Sequence, residues 1–580
     1  MKREELTSLI NAASGRAEAD LVIRGARIIN VFSGRIHLGD IAMKDGLIAG
    51  VGEPGEYEGK EEVDADGLYA APGFIDSHIH IESSYVSPEE FGRMLVPHGA
   101  TTVLADPHEI VNVCGQRGLE YMIDAAKGTK LSIRFMMPSC VPATPFEHAG
   151  AVLEAEDMEA PLQREELLGL GEFMDFPGIV NSIPRALAKV ALAHRVGKPI
   201  DGHASGLAGK ALNAYAAAGI VADHEADSLE EVKDRLERGL YVMLREGSAC
   251  HDLRRNIQAV TPANSRRFLL CSDDRQPETM LTLGHLDNHL KLCVEEGVDP
   301  VTAIQMATLN AAECFGMKDR GAIAPGRRAD IVLLEDLEDF RVSKVWIRGE
   351  LCAEGGVYLP PVTKHSIQSV QGSVNIGDFC RARLAMNLKS NRVNTIRILP
   401  GGVVTARGTA EVKVDKTGDF VWDPAKDVVK ISVIERHHGT GHVANAFLEG
   451  YGIKHGAVAV SVAHDSHNII AVGVDNREIE AAVKAIQVQE GGIALVKDGQ
   501  VIECMPMPIA GLMSDQSGEW VRDRLEAIQD KAYNELGISR DVEPIMTLTF
   551  MSLPVIPEVK LTDMGLFDVE AFRFLPLEAE

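Results

Sequence analysis

Two histidines stand two residues apart at the end of the run Pro72-Gly-Phe-Ile-Asp-Ser-His78-Ile-His80. Side chains alternate across a strand, so His78 and His80 leave one face together and present a pair of imidazoles suited to chelating a metal. A His-x-His pair alone is more often incidental than metallic. Here Glu172, His203, His224 and Asp273 each end a short apolar run of their own, and six ligand-type residues at five run ends are hard to assign to packing. Imidazole with carboxylate and no thiolate suits Zn, Mn or Fe(II). Asp106 and His108 close another run, again two apart. Their plain reading is support, a carboxylate or imidazole that orients a ligand histidine. Their sharper reading is contact with substrate or with an accessory metal. Arg245 reads as structural or loop-anchoring.

Something must bring these residues together. Eight apolar runs end at His78, Asp106, Met137, Glu172, His203, His224, Arg245 and Asp273, at intervals of 28, 31, 35, 31, 21, 21 and 28 residues. Each interval suits a strand, a crossover helix and two loops, the unit of a (β/α)8 TIM-like barrel, whose active site forms at the carboxyl ends of its strands. Apolar spacing predicts helices over 184–197, 207–219, 229–239, 280–296 and 300–315. Residues 21–70 alternate short strands with turns, and strand pattern returns over 324–349. The simplest arrangement pairs the two, so that the barrel is inserted in a small β-sandwich. Beyond Pro360-Pro361, strands near 429, 457 and 469 and a helix over 476–489 predict a C-terminal α+β domain. The expected division is 1–72 for an N-terminal helix and the first part of the sandwich, 73–320 for the barrel, 321–362 for the returning strands and 363–580 for the last domain.

Composition bounds the partners. The chain has 580 residues, with 58 Lys+Arg against 85 Asp+Glu, a formal charge of −27. Nucleic acid and anionic membrane both demand clustered positive charge, so neither is expected, and a small neutral substrate fits more easily. The nine cysteines are odd in number and dispersed, with no C-x-x-C pair, which is a reduced, intracellular pattern. Residues 1–20 are charged and do not read as a signal peptide, and the longest nearly apolar stretch, 211–222, is too short to cross a bilayer. The expectation is a soluble, cytoplasmic protein.

His78, His80, His203, His224 and Asp273 resemble the metal ligands of the amidohydrolase superfamily. The departure is at the fourth strand, where many two-metal members carry a carboxylated lysine; here Glu172 is the substitute bridge, with Asp175 as fallback. The strings His78-Ile-His80-Ile-Glu82-Ser-Ser, Ala105-Asp106-Pro-His108-Glu109, Gly171-Glu172-Phe-Met-Asp175, Asp201-Gly-His203-Ala and Cys271-Ser-Asp273-Asp274 look like the adenine deaminases of that superfamily. So do Glu435-Arg-His437-His438-Gly-Thr-Gly and His464-Asp-Ser-His467-Asn in the last domain, and the resemblance covers nearly the whole chain.

That resemblance implies hydrolytic deamination of adenine to hypoxanthine and ammonia with two divalent ions, Mn2+ first and Fe2+ or Zn2+ as alternatives. His78, His80 and Asp273 would hold one ion and His203 and His224 the other, with Glu172 between them. Metal-activated hydroxide would attack purine C6. Asp273 would take its proton and pass it to the leaving amine. Glu82, on His80's face if the strand continues, is a candidate proton donor or purine anchor. A homo-oligomer, a dimer or larger, is expected. Other readings are another amidohydrolase reaction on a cyclic amide or N-acyl group, separated from the first by Glu82, Asp106, His108 and the last domain, or a non-catalytic barrel scaffold. His437, His438, His442, His464 and His467 read as solvent-exposed or hydrogen-bonded loop residues. The alternative is that their domain covers the barrel mouth and helps to enclose the purine. Gly439-Thr-Gly441 and Gly491-Gly492 lack a phosphate-loop lysine and read as turns.

Overall fold

The computed structural model describes residues 2–400 and 404–579. Strands Phe74–His80, Ala100–Ala105, Ser132–Met137, Leu167–Phe173, Ile200–Gly202, Ala222–Asp223, Tyr241–Arg245 and Phe268–Cys271 follow one another around a barrel. The last of them resumes as Asp273–Asp274. Neighbours pair in parallel throughout. The ring closes where Asp273 and Asp274 meet Ile79 and His80, and where a single bridge joins Ile200 to Ile220. All eight expected run ends therefore lie at one rim. The other end of the barrel is an apolar plug of Ile75, Leu104, Met136, Met243 and Leu269, sealed by Phe315 and Met317. Polar ligand residues are thereby confined to the open rim.

The helix Pro184–Val196 ends at Gly197, whose left-handed φ of 69° stops it. Two of the expected helices are broken. Residues 280–296 form Pro277–Leu283 and Leu286–Glu295, because Gly284 between them stands at φ 93° and ψ −162°. Residues 300–315 form Pro300–Met306 and Leu309–Cys314, divided where Thr308 leaves the helical region at φ −140°.

The segments flanking the barrel are zipped together: Tyr69–Pro72 pairs antiparallel with Ile331–Leu334. The two layers expected of a sandwich are one continuous nine-stranded sheet. Its long strand Ala19–Asn30 pairs with Gly59–Asp64 by its first half and with Tyr69–Pro72 by its second. A register shift between Ile23 and Ala26 bends it, and the sheet folds around Ile23, Ile28, Ile41, Ile331, Leu333 and Trp346.

The carboxyl-terminal part carries an eight-stranded sheet whose strand Val428–Ile434 is buried along its whole length, with helix Asn476–Val488 packed against it. It docks on the barrel. The Ser514 N–H donates to the Tyr85 carbonyl at 2.8 Å and the Gly518 N–H to Glu90 Oε1 at 2.8 Å. One apolar core runs through both parts. This docking brings residues 463–468 to the barrel rim, where the Ser466 hydroxyl donates to Glu147 Oε2 at 2.6 Å and the Asn468 amide to the His148 carbonyl at 2.8 Å.

Candidate metal centre and its cavity

Strand alternation places His78 and His80 side by side, with their Nε2 atoms 3.1 Å apart. Each ring turns its other nitrogen to an acceptor: His78 Nδ1 donates to Asp201 Oδ2 at 3.0 Å and His80 Nδ1 to the Asp106 carbonyl at 3.0 Å. The protons of both neutral rings are thus committed to Nδ1, and two lone pairs face each other at hydrogen-bond distance. Asp273 Oδ1 lies 3.2 Å from His80 Nε2 and 3.7 Å from His78 Nε2, and Glu172 Oε1 lies 3.3 Å from His80 Nε2. Four acceptors converging without a donor among them fit a divalent cation. The second Glu172 oxygen faces the other histidines, 2.7 Å from His203 Nδ1 and 3.5 Å from His224 Nε2. Glu172 therefore offers one oxygen toward His80 and the other toward His203 and His224, while Asp273 lies against His78 and His80 and also groups with His78 and His224.

The electrostatics agree. Burial disfavours an imidazolium at His80, yet Asp273 and Glu172 outweigh it and raise the ring well above its ordinary value, so this point attracts positive charge. Burial also pushes the Glu172 and Asp273 carboxyls up. Contacts of Glu172 with His203 and His80, and of Asp273 with His80 and Arg245, hold both well below the usual carboxylate range. Burial lowers His224 to about 3, which leaves it neutral, the form that ligates metal.

Asp273 stands at φ 59°, a left-handed conformation that few non-glycine residues adopt and Asp more readily than most. Arg245 grips its other oxygen, with Nη1 2.8 Å from Oδ2, while also pairing with Glu225 and, at 2.9 Å, with Asp252. The loop-anchoring expected of Arg245 is thus exercised on a candidate metal ligand.

Asp106 lies behind the ligands, where its Oδ2 accepts from the Glu172 N–H at 2.9 Å. His108 lines the cavity, with Nδ1 3.4 Å from Glu172 Oε1. Glu82 departs from expectation. The strand stops at His80, residues Ile81–Ser84 form a 3-10 turn, and Glu82 is not among the cavity-lining residues. Its Oε1 accepts from the Ile110 N–H at 3.2 Å, and burial raises it to about 7. Asp175, the fallback bridge, is turned away and caps the helix Phe176–Val180 by accepting from the Gly178 N–H.

The last domain's histidines divide. His442 keeps to the surface and His438 donates to the Ala149 carbonyl at 2.8 Å, as loop residues do. His464 and His467 are buried rather than solvent-exposed, because the domain docks on the barrel rim, the arrangement of the alternative reading in which it covers the barrel mouth. His464 Nδ1 lies 2.9 Å from Glu109 Oε1, and His464 and Asp465 line the cavity. That cavity, of about 730 Å³, is lined both by the ligand set and by the apolar side chains of Phe550, Leu553, Val555 and Ile556. Sequence reasoning assigned no role to Glu109, Asp201, Glu225, Asp274 or Asp465. The available signal was their position: each lies within two residues of a histidine or aspartate already singled out.

Residues 69–352 match the amidohydrolase family and residues 402–573 the adenine deaminase C-terminal domain. Among curated proteins, the chain is 59% identical to adenine deaminase 2 of Desulfotalea psychrophila and 51% identical to the adenine deaminase of Ligilactobacillus salivarius, with 100% of each chain covered in both comparisons. Among solved structures, the β-aspartyl dipeptidase of Fervidobacterium islandicum AW-1 aligns with a TM-score of 0.46 at 18% identity, over 59% of this chain and 98% of that one. With both family regions present and full-length identity of this order, the chain belongs to the adenine deaminase family of amidohydrolases.

Proposed function

We propose that this protein deaminates adenine hydrolytically, releasing hypoxanthine and ammonia, in a cavity built on the barrel rim and covered by the last domain. The observation that carries this reading is the Glu172 carboxylate, with one oxygen 3.3 Å from His80 and the other 2.7 Å from His203. That arrangement supports a two-ion centre, held by His78, His80 and Asp273 on one side and His203 and His224 on the other, with manganese the first choice and iron(II) or zinc the alternatives. Divalent ions there supply Lewis acidity that makes water a nucleophile near neutral pH.

The protein's own groups do the rest. Asp273 Oδ1 accepts the proton of the attacking water and returns it to the amine departing from C6. Arg245, on Oδ2, keeps that carboxylate aimed. Asp201 and the Asp106 carbonyl fix the tautomers of His78 and His80. His108 faces the substrate, whereas Glu82 and the Asp106 carboxylate act from behind the cavity wall. The division at residues 72, 320 and 362 separates the enclosing sheet, the barrel and the lid-bearing domain.

Ammonia release from adenine, adenosine, cytosine and guanine with added Mn2+ tests the reading. Turnover of adenine above the others is expected, and turnover of adenosine above adenine would overturn it. We further assign the protein to the cytoplasm as a homo-oligomer of two or more subunits, with neither nucleic acid nor membrane as partner. Among the described residues no helix is long and apolar enough to cross a membrane. Light scattering that gives a monomer mass would refute the oligomer.

A further inference from the structure

We infer that Asp465, supplied by the last domain, is a specificity-determining residue that accepts the N–H of the purine's imidazole ring and so selects the free base over an N9-substituted one. The inference rests on the assignment of adenine as substrate.

Asp465 differs from the other buried carboxylates of the cavity. Glu172, Asp273, Glu225 and Asp252 are paired with histidine or arginine, Glu109 with His464, and Asp274 takes the Ser83 hydroxyl. Asp465 is 3% exposed, and among the described residues its Oδ1 has two longer ion-pair contacts, with His108 Nε2 at 3.7 Å and His464 Nδ1 at 3.9 Å, both beyond ordinary hydrogen-bond length. Its Oδ2 has no hydrogen-bond partner among the described residues. A buried carboxylate oxygen without a donor is costly, and a ligand that brings one to Oδ2 recovers that cost.

Its place suits such a donor. The His108 ring spans the gap between the metal centre and Asp465, with Nδ1 3.4 Å from Glu172 and Nε2 toward Asp465. Asp465 therefore stands about one aromatic ring farther out than Glu172. Adenine bound with C6 at the metal centre turns its imidazole ring away from it, and the N–H of that ring points outward. Phe550, Leu553 and Val555, which line the same cavity, offer apolar surface to the ring faces. A ribose or methyl group at N9 removes the hydrogen and sets carbon against a buried charge. Sites built around such a hydrogen bond reject the analogue lacking it by about 10⁴-fold.

The test compares adenine with 9-methyladenine in the wild type, Asp465→Ala and Asp465→Asn, with metal content and circular dichroism measured for each. The wild type should prefer adenine by at least about 10³-fold in kcat/KM. Asp465→Ala should raise KM for adenine at least tenfold, keep its metal, and cut that preference below about 30-fold. A preference unchanged in both variants, with kcat lowered in parallel for the two substrates, would make Asp465 a positioning residue for His108 and overturn the inference. If neither variant folds, inhibition of the wild type by hypoxanthine and 9-methylhypoxanthine decides: equal inhibition overturns the inference, and a preference of about 10²-fold for hypoxanthine supports it. Absence of wild-type turnover on adenine would instead fail the substrate assignment itself.

Discussion

Two buried clusters of histidine and carboxylate meet in this molecule, and their residue types are nearly the same. One joins His78, His80 and Glu172; the other joins Glu109, His464 and His467. What separates them is the second nitrogen of each ring. In the first cluster both Nδ1 atoms donate to acceptors, so the Nε2 lone pairs are left to converge. In the second, His467 Nδ1 accepts from the Ala463 N–H at 3.2 Å, so the proton of the neutral ring sits on Nε2, the nitrogen that faces Glu109 Oε2 at 3.7 Å. Burial holds His467 neutral, well below its ordinary value. The first cluster is arranged to receive a cation, whereas the second joins two parts of the chain through the contact of His464 Nδ1 with Glu109 Oε1 at 2.9 Å. Composition of a cluster does not decide its chemistry; the partner of the remaining ring nitrogen does.

The sharpest way to break this contrast is to remove the carboxylate from each cluster. Glu172→Gln should lower metal content to one ion or fewer and cut turnover by more than the about 100-fold that follows loss of an outer hydrogen-bond partner. Elemental analysis beside steady-state kinetics checks it, and unchanged stoichiometry would remove Glu172 from the centre. Asp273→Asn should keep at least part of the metal while losing about 10²- to 10⁴-fold in turnover, since it forfeits the proton shuttle but keeps an oxygen ligand. Restoration of its rate by added Mn2+ would show that Asp273 matters only for metal retention. Asp201→Asn lies a step farther out. It loosens the His78 tautomer, and metal affinity should fall by about 10- to 100-fold, read by competition with a chelating dye.

The two clusters also differ in how far the sequence disclosed them. His78 and His80 were legible because alternation along a strand is a local rule, and the repeat of strand and helix carried Glu172, His203, His224 and Asp273 to the same rim. Glu82 was misread by the same rule, since nothing local announced that the strand would yield to a 3-10 turn at Ile81. The break at Gly284 is a local fact that apolar spacing alone overrode. The second cluster was not legible: its histidines lie on a loop whose burial depends on docking contacts such as that of Ser466 with Glu147, 319 residues away. No periodicity within the last domain records the surface it will meet.

The smallest effect tests the joint itself. The paired Glu109 is held below the ordinary carboxylate range: burial raises it, but His464 and His467 outweigh that. Its stabilisation is present above the unfolded value of about 4.3 and is lost as pH falls below it. His464 behaves oppositely. Burial lowers it, yet Glu109 raises it to about 9 against an unfolded value of about 6.5, so its contribution is complete below pH 6.5 and disappears as pH rises through 9. The pair should therefore stabilise most near pH 6. Glu109→Gln should lower the melting temperature by about 5 °C there, with metal content unchanged, and the difference from the wild type should shrink by pH 10. A gap that stays constant from pH 6 to pH 10 would mean that the charge on His464 does not hold the joint, and a loss of metal would return Glu109 to the same class as Glu172.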